Sequence, residues 1–137
     1  SLSLTYTFQQ GVVRGRTYRA RYRLRNIIGW TDYSPTGYIL AAVAPSAPPA
    51  PTFVSADSNT IILQLTPTAD NGGSPITEYK LYRDDGSGGA FIEETAYDGV
   101  STLYMWDALT DLTLTSGLIY RFKYLATNAI GDSDDSP

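Results

Sequence analysis

The chain has 137 residues, of which 42% are hydrophobic and 18% are charged, and its formal net charge is −4. This is the composition of a globular chain with a domain-sized core, and no run reaches the roughly 18 apolar residues that insert in a membrane. The sequence lacks cysteine and histidine, which excludes disulfides, Cys/His zinc sites and triads that need either residue. We therefore expect no enzyme, no cofactor and no metal site.

The first notable stretch is YRARYRLRN, residues 18–26, in which every second residue is an arginine. Because side chains alternate across a strand, one face carries Arg19, Arg21, Arg23 and Arg25, and the other carries Tyr18, Ala20, Tyr22 and Leu24. Two interpretations are open. The arginines form a solvated strand face, or they form a contact surface for an acidic protein or glycan. Trp30, in the next loop, either belongs to the same contact surface or packs against the linker or the next domain.

The charge distribution argues against a nucleic acid partner. Residues 1–43 carry six arginines and one aspartate, a net charge of +5, whereas residues 44–137 carry four basic and thirteen acidic groups, a net charge of −9. A nucleic acid-binding chain is usually basic throughout. The opposite charges favour protein contacts instead, including head-to-tail contacts between copies of the chain.

A proline-rich stretch, AVAPSAPPAP at residues 42–51, divides the sequence, and we place a linker at 44–51. Beyond it, alternating apolar residues predict strands over 60–67, 76–86, 89–99 and 101–109. The sequences ADNGG and DDGSGG between them are typical of turns, and no helix pattern is present. This succession of short strands predicts an all-β, two-sheet sandwich.

An internal repeat organises the chain. GRTYRARYRLRNIIGW at residues 15–30 matches GLIYRFKYLATNAIGD at 117–132, with seven identical pairs, each 102 positions apart. The dipeptide Ser-Pro recurs at 34–35 and 136–137, at the same separation. A period near 100 residues suits an independently folding domain in a tandem array better than a solenoid unit.

These motifs together resemble the fibronectin type III family over nearly the whole chain. The family's L-x-P-G-x-x-Y motif before strand F corresponds to Leu114, Gly117 and Tyr120, and again to Val12, Gly15 and Tyr18, without the proline in either place. The W-x-P end of strand B corresponds to residues 65–67, where leucine replaces tryptophan. DNGGSPITEYKLY, residues 70–82, is similar to the family's B–C loop and strand C.

The resemblance implies an immunoglobulin-like antiparallel β-sandwich in tandem. Residues 1–43 correspond to strands E–G of a first domain, 44–51 to the linker, and 51–137 to strands A–F of a second domain whose strand G is missing. The last seven residues, GDSDDSP, are expected to be a solvated F–G loop. Tyr120 is expected to be a corner tyrosine whose hydroxyl bonds back to the backbone. The predicted core residues are Tyr18, Tyr22, Leu65, Tyr79, Leu81, Tyr120, Phe122 and Tyr124.

The resulting functional hypothesis is a non-catalytic structural or adhesive repeat of an elongated extracellular or cell-surface protein or filament. Its expected partners are neighbouring repeats and copies of itself, and acidic glycan has no specific support. Two alternatives stay open: an accessory module of a larger secreted enzyme, and a scaffold repeat of an intracellular cytoskeletal or ciliary protein. Only two lysines are present, which favours an extracellular location. The loops contain no Arg-Gly-Asp tripeptide, so integrin binding is not supported.

Overall fold

The computed structural model describes residues 5–137, which form eight β-strands and no helix within that range. The strands are β1 (Thr17–Ala20), β2 (Gly37–Leu40), β3 (Thr52–Ala56), β4 (Thr60–Gln64), β5 (Ile76–Arg83), β6 (Ile92–Glu93), β7 (Leu103–Asp107) and β8 (Phe122–Asn128). Every strand pairing is antiparallel. The predicted all-β class is therefore confirmed.

Residues 51–137, which we refer to as the sandwich, form two three-stranded sheets with strand orders β3–β4–β7 and β6–β5–β8. Alternation determines which residues face inward: in β7, Tyr104 and Trp106 are buried while Leu103 and Met105 are exposed. The two inner faces meet in a core of Leu65, Leu81, Tyr104, Trp106 and Tyr124. This arrangement is the predicted antiparallel sandwich.

Most of the predicted core residues of the sandwich lie where the alternation places them. Leu65, Leu81 and Tyr124 are buried, and Tyr79, Tyr120 and Phe122 are partly buried against them. Trp106 was not predicted. Its ring lies edge-on to the Tyr120 ring, with ring centres 4.7 Å apart. The core therefore contains a tryptophan from β7, although residue 65, where the family's strand B has a tryptophan, is a leucine.

The corner tyrosine is present in both parts of the chain. The N–H of Thr115 donates to the hydroxyl of Tyr120 at 2.7 Å, and that hydroxyl donates to the carbonyl of Thr113 at 3.3 Å. The hydroxyl of Tyr18 makes the same two bonds, accepting from the N–H of residue 13 at 2.7 Å and donating to the carbonyl of residue 11 at 3.1 Å. The 102-residue repeat therefore conserves these hydrogen bonds as well as the amino-acid identities.

Residues 11–41, the N-terminal segment, contain only the two-stranded sheet β1–β2. Tyr18 is half-buried there, but the prediction that Tyr22 lies in a core is wrong, because its side chain is 70% exposed. Strand β1 ends at Ala20, and within residues 5–137 no second sheet covers this face. Alternation correctly placed Tyr22 on the face opposite the arginines, but a strand face is buried only where a second sheet packs against it.

The last residues of the chain differ from the predicted solvated loop. Ser133 and Ser136 are buried, and their N–H groups donate to the carbonyls of Ala126 and Tyr124, both at 2.8 Å. Their hydroxyls accept from the N–H groups of the same two residues, at 3.0 and 3.1 Å. Residues 132–136 therefore run beside β8, where we had expected no part of strand G.

Candidate contact surfaces

The predicted arginine stripe is stacked on two aromatic rings. The guanidinium carbon of Arg21 lies 3.9 Å from the centre of the Tyr33 ring. Arg23 lies between Trp30 and Tyr33, at 4.3 and 5.0 Å, and Arg25 lies 5.5 Å from Trp30. We refer to these five residues as the arginine ladder. Each contact is a cation–π interaction, which holds an exposed guanidinium in place without neutralising its charge.

A tight turn places the aromatic rings opposite the arginines. The side-chain oxygen of Asn26 accepts from the N–H groups of Ile28 and Gly29, at 2.9 and 3.1 Å. The chain then runs back antiparallel to residues 22–25, with a bridge between Arg25 and Trp30 and a bond from the N–H of residue 31 to the carbonyl of residue 24 at 2.9 Å. Trp30 and Tyr33 therefore project from the same face as the arginines.

Arg19 lies apart from the arginine ladder. It borders an open depression of about 370 Å³ together with Ala20, Arg21 and Thr36, and it makes no ion pair within residues 5–137. The predicted contact residues thus divide into a stacked set and one free guanidinium. Tyr33 was missed because the sequence does not reveal how the chain turns back after Asn26.

The equivalent of Arg19 in the sandwich has an acidic partner. Arg121, 102 positions later, donates from Nε to Oδ2 of Asp84 at 2.6 Å. Asp84 is fully buried, and burial alone would raise its pKa. The hydrogen bonds from the backbone and side chain of Arg121 and from the N–H of Gly86 outweigh burial, so the pKa of Asp84 is lowered. Its carboxylate therefore fixes the start of β8 against the turn after β5.

A second candidate surface lies between the N-terminal segment and the sandwich. Nη1 of Arg14 donates to Oδ2 of Asp70 at 2.6 Å, with both side chains about half exposed. Gly73 packs so closely that a Cβ on it would lie 2.4 Å from Cγ of Arg14 and 2.7 Å from the backbone nitrogen of Gly15. We refer to the contact between residues 13–16 and residues 70–73 as the junction.

The proline-rich stretch 42–51, which includes the predicted linker, is attached to the sandwich by hydrogen bonds, among them one from the N–H of Ser46 to the carbonyl of Asp70 at 2.9 Å. The N–H of Val43 donates to the carbonyl of Gly72 at 2.9 Å, and the side-chain amide of Asn128 donates to the carbonyls of Val43 and Asn71, both at 2.8 Å. A Cβ on Gly72 would lie 2.1 Å from the carbonyl oxygen of Val43. Pro48 is fully buried. The proline-rich stretch is thus packed on the sandwich and does not act as a free tether.

The buried charges of the sandwich form a structural cluster. Arg83 donates from Nε to Glu94 and from Nη2 to Asp111, both at 2.7 Å, and its guanidinium lies 4.2 Å from the centre of a Trp106 ring. No buried side-chain nitrogen or oxygen in the described range lacks a hydrogen-bond partner. This cluster links the two sheets, because Arg83 lies on β5 and Asp111 follows β7.

Residues 5–137 contain no group of three or more histidine, cysteine or acidic residues placed to hold a metal ion. In the same range there is no helix of the length and apolarity that a membrane crossing requires.

No family model matches the sequence. Solved structures are similar to it: a crystal structure of domains from titin aligns with a TM-score of 0.70 and 23% identity, covering 93% of this chain and 40% of that one. The twitchin kinase region from C. elegans aligns with a TM-score of 0.57 and 25% identity, covering 68% of this chain and 15% of that one. A human fourth FNIII domain in solution aligns with a TM-score of 0.59 and 25% identity, covering 69% and 75%. This chain therefore spans less than half the length of the titin and twitchin structures.

Proposed function

We propose that this chain, which has the fibronectin type III fold, is a non-catalytic structural repeat that acts through protein–protein contacts. The junction carries this proposal. A turn of the N-terminal segment packs on a turn of the sandwich, and Val43, in the proline-rich stretch that joins them, is hydrogen-bonded to both Gly72 and Asn128. Contacts of this kind restrict the angle between consecutive modules, which is the property that a spacing or scaffold protein needs.

A substitution at Gly72 tests the junction. Gly72 has a φ of +72°, and an alanine Cβ there would collide with the carbonyl of Val43. We expect Gly72→Ala to detach the linker and the N-terminal segment from the sandwich. In NMR relaxation on the full chain, the wild type should give one correlation time for both parts and the variant should give two.

Gly88→Ala is the matched control for this experiment. Gly88 has a similar φ of +83°, but no atom lies within 4 Å of the position that a Cβ would take. The control thus introduces the same backbone strain in the sandwich without touching the junction, and the two parts should still tumble together. Two correlation times in the wild type, or one in Gly72→Ala, would contradict a fixed junction.

The arginine ladder is the second surface in this proposal, and its partner would be an acidic protein. The nearest acidic candidate is the chain itself, since residues 44–137 carry a net charge of −9. End-to-end contact between copies would then add to contact between consecutive repeats, as in a filament or an adhesive surface protein. An acidic glycan offers the same charge, but the described residues show no feature that selects a sugar.

The proposed location is extracellular or at the cell surface, on the strength of the low lysine content. An intracellular scaffold is supported instead by the similarity to a titin module from human cardiac muscle, which aligns with a TM-score of 0.56. For the remaining alternative, an accessory module of a larger secreted enzyme, the related observation is the similarity to a structure of titin kinase and its flanking domains, in which an enzyme and other domains share one chain.

A further inference from the structure

Asn71 lies in the turn that carries the junction, and Gly72 follows it. It is the only one of the four asparagines in the sequence that precedes a glycine. The backbone nitrogen of the residue after an asparagine can attack the side-chain amide carbon, and glycine hinders this attack least because it has no side chain. The side chain of Asn71 is exposed. This dipeptide is therefore the place in the chain where such an attack meets the least steric hindrance.

In the folded chain, the peptide group between Asn71 and Gly72 is held at both ends. Its carbonyl accepts from the side-chain amide of Asn128 at 2.8 Å, and its N–H donates to Oδ1 of Asp70 at 2.9 Å. The attack needs this nitrogen to lose its proton, and a neighbouring carboxylate disfavours that loss because the two groups would then carry like charges. The N–H of Gly72 also lowers the pKa of Asp70, so the carboxylate is charged at neutral pH.

The junction covers the same peptide group. Gly72 is buried, and a Cβ on it would lie 2.1 Å from the carbonyl oxygen of Val43 and 2.7 Å from that of Ala44. The carbonyl of Gly72 accepts from the N–H of Val43 at 2.9 Å, and Oδ1 of Asn71 accepts from the N–H of Gly73 at 2.9 Å. The turn must change shape to bring the nitrogen of Gly72 onto the side-chain carbon of Asn71. Residues 43 and 44 oppose that change while the junction is closed.

We propose that Asn71 is a deamidation site that the closed junction protects, and that isoaspartate at this position opens the junction permanently. In the open turn, the nitrogen of Gly72 loses its proton and bonds to Cγ of Asn71. The bond from Cγ to Nδ2 breaks, and ammonia leaves with that proton. The product is a cyclic succinimide, and water cleaves it at one carbonyl to give aspartate or at the other to give isoaspartate.

Isoaspartate does not fit the closed junction. It routes the main chain through Cβ and Cγ of residue 71 and so adds a methylene to the turn. Even a Cβ on Gly72 would collide with the carbonyls of Val43 and Ala44, so this turn has no space for a longer main chain. The former carbonyl of residue 71, which accepts from Asn128, becomes a carboxylate outside the main chain. Aspartate, by contrast, leaves the path of the main chain unchanged.

This inference rests on the proposed junction and adds a covalent change that releases it. The two can fail separately. A fresh wild-type chain with two correlation times would refute the junction itself, whereas a closed junction that leaves Asn71 unprotected would refute only this inference.

Asn128→Asp tests the protection. The variant lacks the amide that donates to Val43 and Asn71. It keeps an oxygen for the N–H groups of Ile130 and Gly131. Full chains are incubated at neutral and mildly alkaline pH, and peptide mapping by mass spectrometry with electron-transfer fragmentation measures both products at position 71. We expect modification at least about tenfold faster in the variant, because two bonds that hold the turn are lost. It should be faster at alkaline pH in both chains.

Asn26→Asp is the matched control, because Asn26 makes the equivalent turn bonds 102 positions earlier, away from the junction. It should react at Asn71 like the wild type. Arg14→Gln, which lies outside the sandwich and removes only the exposed ion pair to Asp70, guards against unfolding as the cause and should accelerate modification about two- to fivefold. A peptide of residues 66–76 gives the unprotected rate. A wild type as fast as the peptide, or variants no faster than the wild type, would overturn the proposal.

Aged wild-type chain tests the release. The isoaspartate form, isolated by ion exchange, should give two correlation times in NMR relaxation, whereas the unmodified form should give one. Freshly prepared Asn71→Asp is the control, since it adds the same charge without lengthening the main chain, and it should also give one. An isoaspartate form that still tumbles as one body, or an Asn71→Asp chain that tumbles as two, would overturn the proposed release.

Discussion

Residues 22–34 and 124–136 share their backbone hydrogen bonds and differ in the chemistry of their outer face. The hydroxyl of Ser34 accepts from the N–H of Tyr22 at 3.0 Å, and the hydroxyl of Ser136 accepts from the N–H of Tyr124 at 3.1 Å. The Asn-centred turns before them also match, with the Asn26 and Asn128 side chains accepting from equivalent N–H groups. A few hydroxyls, amides and glycines are thus enough to define this backbone.

The outer faces use different interactions at equivalent positions. Tyr33, which stacks on Arg21, is replaced 102 residues later by Asp135, which pairs with Lys123 at 2.5 Å. Trp30 is replaced by Asp132, which pairs with Lys80 at 3.0 Å. The first stretch holds its cations above aromatic rings without a carboxylate partner. In the second, Lys123 also lies near an aromatic ring, 4.6 Å from the centre of Phe91, but it is paired with a carboxylate. The same backbone hydrogen bonds thus produce the same local conformation in both stretches, and the exposed side chains determine whether the surface carries unpaired positive charge that a partner could bind.

The largest expected difference between the two stretches is in the free energy of unfolding that is lost when an inward-facing tyrosine is removed. Tyr22 and Tyr124 are equivalent, but the exposed fraction of Tyr124 is 0% and its hydroxyl is hydrogen-bonded to Thr66. We expect Tyr124→Ala to lower the free energy of unfolding by about 3–5 kcal/mol and Tyr22→Ala by less than about 1 kcal/mol. Urea denaturation followed by circular dichroism measures both. Equal losses would mean that the N-terminal segment has a covering layer in solution.

Acid should destabilise the sandwich through Asp111, which lies between β7 and β8, and should leave the arginine ladder unchanged. Burial opposes ionisation of this carboxyl, but hydrogen bonds from Thr113 and Trp106 and the charge of Arg83 outweigh it and lower its pKa to about 2. A lowered folded-state pKa stabilises the protein above the unfolded value and loses that contribution as the pH falls towards 2. We expect a loss of about 2 kcal/mol between pH 5 and pH 2, by urea denaturation.

The arginine ladder consists of guanidinium, indole and phenol groups and contains no carboxyl. The NMR signal of the Trp30 indole should therefore stay constant while that of Trp106 shifts. Asp111→Asn provides the comparison, since it should remove the contribution of Asp111 and leave that of other carboxyls with a lowered pKa, such as Asp84. An acid dependence as large in Asp111→Asn as in the wild type would assign the whole effect to those other carboxyls.

The smallest expected effect is on salt sensitivity. Tyr33→Asp converts the Arg21 contact into an ion pair of the kind found at Lys123, and exposed ion pairs contribute no more than about 1 kcal/mol and weaken with salt. Hydrogen exchange at the amide of Leu24, which donates to Thr31, should become salt-dependent in the variant only. Tyr38→Asp, on exposed β2, is the control and should leave this amide unaffected. If hydrogen exchange at the amide of Leu24 depended on salt in the wild type, cation–π stacking would not be the interaction that holds this hairpin.

Local patterns were sufficient for most of the sandwich. Alternation located β4, β5 and β7, the internal repeat located β8, and the resemblance to the fibronectin type III motif predicted the hydrogen bonds of Tyr120. These features depend on residues within about seven positions of each other. Of the strand predicted over 89–99, only β6 is present, because the residues after β6 fold into a turn in which the N–H of Tyr97 donates to the carbonyl of Glu94.

Features that depend on distant residues were not accessible from the sequence. Tyr22 is exposed because no opposing sheet covers it within residues 5–137, and Trp106 is buried because it packs against Tyr120 and Phe122, at and just before the start of β8. The junction joins Arg14 to Asp70 across 56 positions. Such a pair could not be predicted from local sequence patterns, because Arg14 and Asp70 each look like an ordinary exposed residue in the sequence.

The attachment of the linker has a mechanical consequence. Tension along the chain would reach Val43 before it reaches β3, and would load the bond from its N–H to Gly72 and the bond from Asn128 to its carbonyl. Each such bond contributes only about 1 kcal/mol, far less than the folded sandwich as a whole. The linker would therefore peel from the sandwich at low force and lengthen the chain while the two sheets stay intact. The attached proline-rich stretch would then act as a short extension between the two parts of the chain.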